Sequence, residues 1–259
     1  MKEKEKIEQV IRERDELGFW KMDKKTRLDM PMPDYSNLPY LSDEEKALGT
    51  QLMQQYAPTP EYGIGDMPPI LKNLWLQQPA FLLSCDPEYY QAYAQYYDVL
   101  VKLVTGFDSL EQMYPACVRI KGIDTTTKRD DPEVRRRFSN ALLMGAAIGV
   151  EFDDQWYIRF YSNLPLDQRF QNDDAQDYLM PAEKFSMLHH PESSVWDDEE
   201  RLCLQFTYAV IRRKMTDEIW DRAMAAWGEK ETFRYLQWIG LYNSLSLFQN
   251  ALDLRCGQW

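Results

Sequence analysis

Two side chains able to move a proton, Asp153 and Tyr157, stand four positions apart in a stretch that reads as helix, a spacing that places both on one face. A carboxylate beside a phenol in a dry helical pocket is a workable acid–base pair. Burial raises the carboxyl's pKa, and the phenol can donate to an enolate oxygen as it develops negative charge. Asp154, Gln155 and Arg159 lie on neighbouring faces, and the Arg159 guanidinium could grip a substrate carboxylate through two hydrogen bonds. The same residues equally compose an ordinary solvated face, with the charges in water and Tyr157 packed. His189 and His190 are the only histidines. A loop histidine before proline is commonly just exposed, yet this side chain titrates near neutrality unperturbed, so either could serve as a general base if its loop folds over the bundle.

Other chemistries find less support. The four cysteines, Cys85, Cys117, Cys203 and Cys256, form no CxxC pair and have no histidine at metal-ligand intervals. They read as buried thiols acting as small hydrophobes. No metal site, no dithiol and no cofactor is expected.

The elements that must position these residues are helical throughout. The 259 residues, 44% of them hydrophobic, suffice for a sizeable core and exclude disorder over most of the length. No apolar run reaches the roughly 18 residues of a membrane span. The charged start, from Met1 through Lys6, is followed by no apolar signal segment, so a cytoplasmic location is expected. A net charge of −12 argues against nucleic acid and against an anionic membrane as partners.

Residues 1–45 read as an amphipathic helix (Ile7, Val10, Ile11, Leu17) followed by an extended arm rich in proline, set apart from a single large helical domain over 46–259. Ser42 with Glu45 makes a capping box for a helix through Tyr56. Asp86-Pro87 and Asp131-Pro132 each pair a capping aspartate with a first-turn proline, predicting helices over 87–104 and 132–162. Residues 105–131 are ambiguous, and 163–196 read as a long irregular loop of the kind that often carries binding or lid function. Asp197-Asp198 and Thr216 cap two further helices, Gly228 ends the second, and a last helix runs over 229–254. No strand pattern of real length and no clear internal repeat is found. Five tyrosines of the 87–104 helix (Tyr89, Tyr90, Tyr93, Tyr96, Tyr97) are too many to bury without hydroxyl partners, so some should line a pocket or a subunit contact.

The run from Phe206 through Thr216 to Trp220, and the later Gly240, Tyr242, Phe248, Asn250 and Ala251, resemble the closing helices of the carboxymuconolactone decarboxylase and alkyl hydroperoxidase D-like (AhpD-like) family. There a Thr/Ser-Asp-x-x-Trp cap precedes a long helix ending Gly-x-Tyr-x-x-x-x-x-Phe-x-Asn-Ala. The segment from Pro69 to Trp75 and the tyrosine-rich helix around Tyr93 are similar to the family's early helices. In all, the resemblance covers roughly 69–104 and 132–254. It implies an AhpD-like all-α bundle, a small-molecule substrate, and a homo-oligomer, commonly a trimer or hexamer, with a dimer also open. The 1–45 arm suits wrapping a neighbouring subunit.

Alignment to the family's peroxidase motif puts Phe138 at its glutamate, Val150 and Asp153 at its two cysteines and Tyr157 at its histidine. Neither Val150 nor Asp153 supplies the sulfur that thiol peroxidase chemistry needs. Decarboxylase-type members read Glu-Tyr-Glu-Trp-x-x-His here. Glu151-Phe152-Asp153 is similar in character, with Trp156 and Tyr157 shifted and the histidine absent. The resemblance thus implies Asp153, Tyr157, His189 and His190 as candidate catalytic groups, with Glu151, Trp156, Arg159 and Tyr93 around the substrate. The expected activity is a cofactor-independent lyase, decarboxylase or isomerase acting on a small cyclic, aromatic or carboxylated compound. A non-catalytic binding or assembly protein of the same fold is the alternative, and a thiol peroxidase the remotest.

Overall fold

A computed structural model of the chain describes residues 41–56, 86–108, 131–163 and 182–253, except for the side chains of 53–56, 159, 160, 162, 163 and 182. The expected N-terminal helix and most of the arm lie outside these residues, as do 57–85, 109–130 and 164–181.

Seven helices and no strand occur among the described residues, so the chain is all-α. They are α1 (Asp43–Tyr56), α2 (Pro87–Thr105), α3 (Pro132–Glu151), α4 (Gln155–Asn163), α5 (Ala182–Ser186), α6 (Asp198–Ile211) and α7 (Asp217–Ala251). Their starts follow the local chemistry of helix termini, whose first amides need acceptors. Ser42 Oγ accepts from the Glu45 amide at 3.2 Å, and the Glu45 carboxylate accepts from the Ser42 amide at 2.6 Å. Asp197 and Glu200 form the same box for α6, and Asp86, Asp131 and Thr216 accept from first-turn amides of α2, α3 and α7. Within α7 the chain leaves helical geometry only at Gly228, where φ is 73°. A side chain would be strained at that angle.

Helix α3 is the hub, packing on α2, α4, α6 and α7. Phe138, Ala141, Met144, Ala147 and Ile148 are all at most 1% exposed, and a large side chain so buried contributes about 1.5–3 kcal/mol. Polar ties fix its neighbours in register. The Trp238 indole N–H of α7 donates to the Ala141 carbonyl at 3.0 Å. At the α3 start, Arg136 donates to Glu133 of its own helix, to Glu199 of α6 at 2.7 Å and to Glu231 of α7 at 2.7 Å. Asn140 joins the cluster, donating to Glu199 at 2.8 Å and to the Tyr235 hydroxyl at 3.2 Å. The Arg136 hydrogen bond holds the Glu133 carboxyl below its ordinary pKa, and the three carboxylates raise that of the guanidinium. Arg136 thus has a counter-charge on each of three helices.

Candidate active site

The helix expected over 132–162 is two helices. Helix α3 ends at Glu151, and the Phe152 amide still donates to the Ile148 carbonyl at 3.1 Å. Asp153 then turns left-handed with φ 50°. That conformation costs most residues energy, but the short polar chain of aspartate tolerates it. Asp154 follows as the first cap of α4: its Oδ1 accepts from the amides of Trp156 at 3.0 Å and Tyr157 at 3.2 Å. The Asp153–Tyr157 pairing on one helical face is therefore corrected. Asp153 is exposed in the turn, where its carboxylate accepts from the Gln155 amide at 2.7 Å, while Tyr157 points inward and is 2% exposed.

The break moves the acid–base pair by one residue. Asp154 is fully buried. Desolvation pushes its carboxyl up to about 7, with the Ser246 hydroxyl of α7 and the two α4 amides pulling in the opposite direction. Tyr157, one turn on, is buried and its hydroxyl has no hydrogen-bond partner among the described residues. Its pKa lies well above the ordinary value through burial first, then through the neighbouring Tyr242, Asp154, Tyr161 and Tyr93.

Those neighbours come from three helices. The Tyr157 ring stacks on Tyr242 of α7 at 5.3 Å with 16° between planes, and lies 6.0 Å from Tyr161. Tyr242 shares a 3.1 Å hydroxyl–hydroxyl contact with Tyr97 of α2, which stacks on Tyr93 at 5.7 Å. Two glycines of α3 admit these rings. A Cβ at Gly145 would sit 2.1 Å from the Tyr161 hydroxyl, and one at Gly149 would meet the Tyr157 Cβ at 2.6 Å. The Gly145–Gly149 stretch that reads as a close-approach surface thus receives α4 and α7 together. The result is an array of phenols around Tyr157, with the buried Asp154 carboxyl at the start of the same helix. Burial favours the protonated carboxyl, and its pKa lets both forms coexist near neutrality.

The other candidates fall into separate places. Trp156 is buried, with its ring edge-on to Tyr157 at 5.4 Å. Tyr93 is half-buried in the phenol array. Glu151 is engaged elsewhere: the Arg212 guanidinium of α6 donates to both its oxygens at 2.7 and 2.6 Å, lowering its pKa, and Arg212 also lies 4.3 Å over the Tyr208 ring. Glu151 clamps α3 to α6. The Arg159 side chain lies outside the described residues. His189 and His190 are exposed in a turn after α5, where His190 Nδ1 lies 3.0 Å from Glu192 and its carbonyl accepts from the Trp196 indole. The fold does not bring them to Asp154. Of the loop expected over 163–196, the part from 182 is a short helix and successive turns.

The residues that were missed are Asp154, Ser246 and Tyr242 as site members. A signal for the first existed. An aspartate two positions before the apolar Trp156 and Tyr157 is a recognisable helix-start pattern. Ser246 and Tyr242 carry no local signal, since only the packing of α7 on α3 brings them near.

Among the described residues, no group of three or more His, Cys, Asp or Glu is placed to hold a metal ion, and no helix is long and apolar enough to cross a membrane. Cys203 is a fully buried thiol whose pKa is raised by desolvation, donating to the Asn140 carbonyl at 3.5 Å. The chain matches no protein-family model, no curated protein and no solved structure.

Proposed function

We propose that this protein is a cytoplasmic, cofactor-independent acid–base enzyme of the lyase, decarboxylase or isomerase kind, a divergent relative of the carboxymuconolactone decarboxylase and AhpD-like proteins. Its substrate is a small cyclic, aromatic or carboxylated compound. The observation that carries this reading is the buried Asp154 carboxyl, with a pKa of about 7, in electrostatic reach of Tyr157, whose hydroxyl has no hydrogen-bond partner among the described residues. Groups poised near the operating pH are the efficient ones in proton transfer, and a lone buried donor is suited to an oxyanion that exists only during reaction. In its ionised form Asp154 takes a proton from the carbon next to a carbonyl, and Tyr157 donates a hydrogen bond to the resulting enolate oxygen. The carboxylic acid then returns the proton at the same or a conjugated carbon. The resemblance is supported by two of its motif residues. Tyr242 stacks on Tyr157, and Asn250 donates to the Phe152 carbonyl at 2.9 Å, so both reach the α3–α4 turn.

The test needs no known product. A panel of cyclic β-keto acids and lactone carboxylates is incubated with the protein in deuterated water, and exchange at the α-carbon is followed by NMR. Asp154→Asn should slow exchange by about 10²–10⁴-fold and Tyr157→Phe by about 10²-fold, with the fold intact by circular dichroism. Exchange no faster than in buffer, or undiminished in Asp154→Asn, would remove the proposal.

A second reading, a non-catalytic binding or assembly protein, is favoured by one fact: Asp154 Oδ1 already accepts two amides of α4. Capping duty alone accounts for an aspartate there. Under that reading, a bound panel member would be retained without any exchange.

A further inference from the structure

The exposed side of the bundle formed by α2 and α7 has no assigned task. On α2, Tyr89, Ala92, Tyr96 and Val99 are exposed and recur at spacings of three and four; on α7, Phe233, Gln237, Gly240, Ser244 and Leu247 do the same, with Phe248 beside them. The two stripes adjoin and run antiparallel. The Tyr96 hydroxyl donates to Gln237 Oε1 at 3.2 Å, and the Tyr89 and Phe248 rings are 6.4 Å apart. Neither stripe contains a charged residue between its ends, where Glu88, Lys102 and Lys230 flank it, although 72 of the 259 residues are charged (30 basic plus 42 acidic) and the chain carries −12.

We propose that this α2–α7 face is where two copies of the chain meet, face to face, in a homodimer. Three physical points select a second copy as the occupant. Acidic surfaces elsewhere repel one another, so an uncharged face is where two like chains of −12 can approach without desolvating ions. The stripe is self-matching, with rings and branched chains at its two ends and the small Ala92, Gly240 and Ser244 at its centre, where another helix pair can come close. A Cβ at Gly240 would meet nothing within 4 Å, so the space above it is open. The six large side chains, from 43% exposed at Tyr96 and Phe248 to 64% at Leu247, offer roughly 600 Å² per copy, approaching the ~800 Å² per partner of a standard interface. That stands at the top of the roughly 300–600 Å² range of the largest apolar patch on a typical monomer, a size often tied to function. The inference is independent of the acid–base reading.

Sedimentation equilibrium of the full chain between about 1 and 50 µM tests it. The expected mass is twice the 30.8 kDa of one chain. Val99→Glu and Gly240→Glu each put like charges opposite one another and should shift the dimer–monomer midpoint upward by about 100-fold, with helicity unchanged. Gly240→Glu serves if Val99→Glu folds poorly, because its site is open and glutamate favours helix. Ala226→Glu, exposed on the segment of α7 before Gly228, should leave the dimer intact. A wild-type monomer at 50 µM overturns the proposal, whatever other partner the face then receives. So does an assembly that persists in both stripe variants, or one that Ala226→Glu disrupts equally.

Discussion

The two ends of α3 bury polar groups in opposite ways. At its start Arg136 is met by Glu133, Glu199 and Glu231, with Asn140 and Tyr235 completing the network. At its end the Asp154 carboxyl is buried against two amides and a hydroxyl, close enough to Tyr157 to act on it electrostatically, and desolvation dominates. A charge with its counter-charges stays charged at every physiological pH and serves as a tie between helices. A carboxyl whose desolvation outweighs the hydrogen bonds it accepts shifts into the range where its proton can come and go. The contrast teaches where to look for chemistry: at the acid whose environment suits neither of its forms fully.

The sharpest way to break that contrast is through pH. The folded Asp154 carboxyl holds its proton up to about 7, against 3.8 for an ordinary aspartate. Between roughly pH 4 and 7 the folded chain therefore keeps a proton that the unfolded chain has released. Stability should fall as pH rises through this window, by roughly 4 kcal/mol over the full shift. The lowered pKa values of Glu133 and Glu151 act with the reverse sign, their contributions being lost as pH falls below the ordinary glutamate range. Urea unfolding of the wild type and Asp154→Asn across pH 4–8 isolates the aspartate: the difference between the two should carry the slope, and parallel curves would refute the buried acid.

The opposite end should respond to deletion and hardly to pH near neutrality. Arg136→Met leaves three carboxylates facing one another, and a loss of about 2–3 kcal/mol is expected, at the low end of what breaking a buried ion network costs because these groups are partly exposed. A midpoint in urea unchanged at pH 7 would show that the cluster ties nothing. The smallest effect separates stability from chemistry. Tyr157→Phe removes a buried hydroxyl that has no partner among the described residues, so thermal stability should be unchanged or rise by about 1 kcal/mol even as proton exchange falls. A clear drop in the melting temperature would mean the hydroxyl does structural work.

Much of the architecture was legible. Ser42 with Glu45, Asp86-Pro87, Asp131-Pro132, Asp197 and Thr216 each announce a helix start, because the first amides of a helix need an acceptor that these side chains place locally. Gly228 marks its break for the same local reason. The break at Asp153 was not read, since two aspartates in an otherwise helical pattern look like surface charge. Only the burial of the second separates a cap from a solvated residue. The candidate site was half legible: the right stretch of α3 and α4, and Tyr157 within it, but Asp153 in place of Asp154. Glu151 looked like a substrate ligand because nothing local reveals Arg212, sixty-one residues away.

What the amino-acid order alone determined is the helices, their caps and the close-approach glycines of α3, all consequences of contacts within a turn or two of chain. Tertiary structure decided which acid is buried, which tyrosines gather round Tyr157 and which charges are paired. Those depend on residues far apart in the chain, such as Tyr97 with Tyr242 or Arg136 with Glu231, meeting across packed helices. The pKa of a carboxyl is set by that company, through desolvation and neighbouring charge, and by nothing in its own covalent structure.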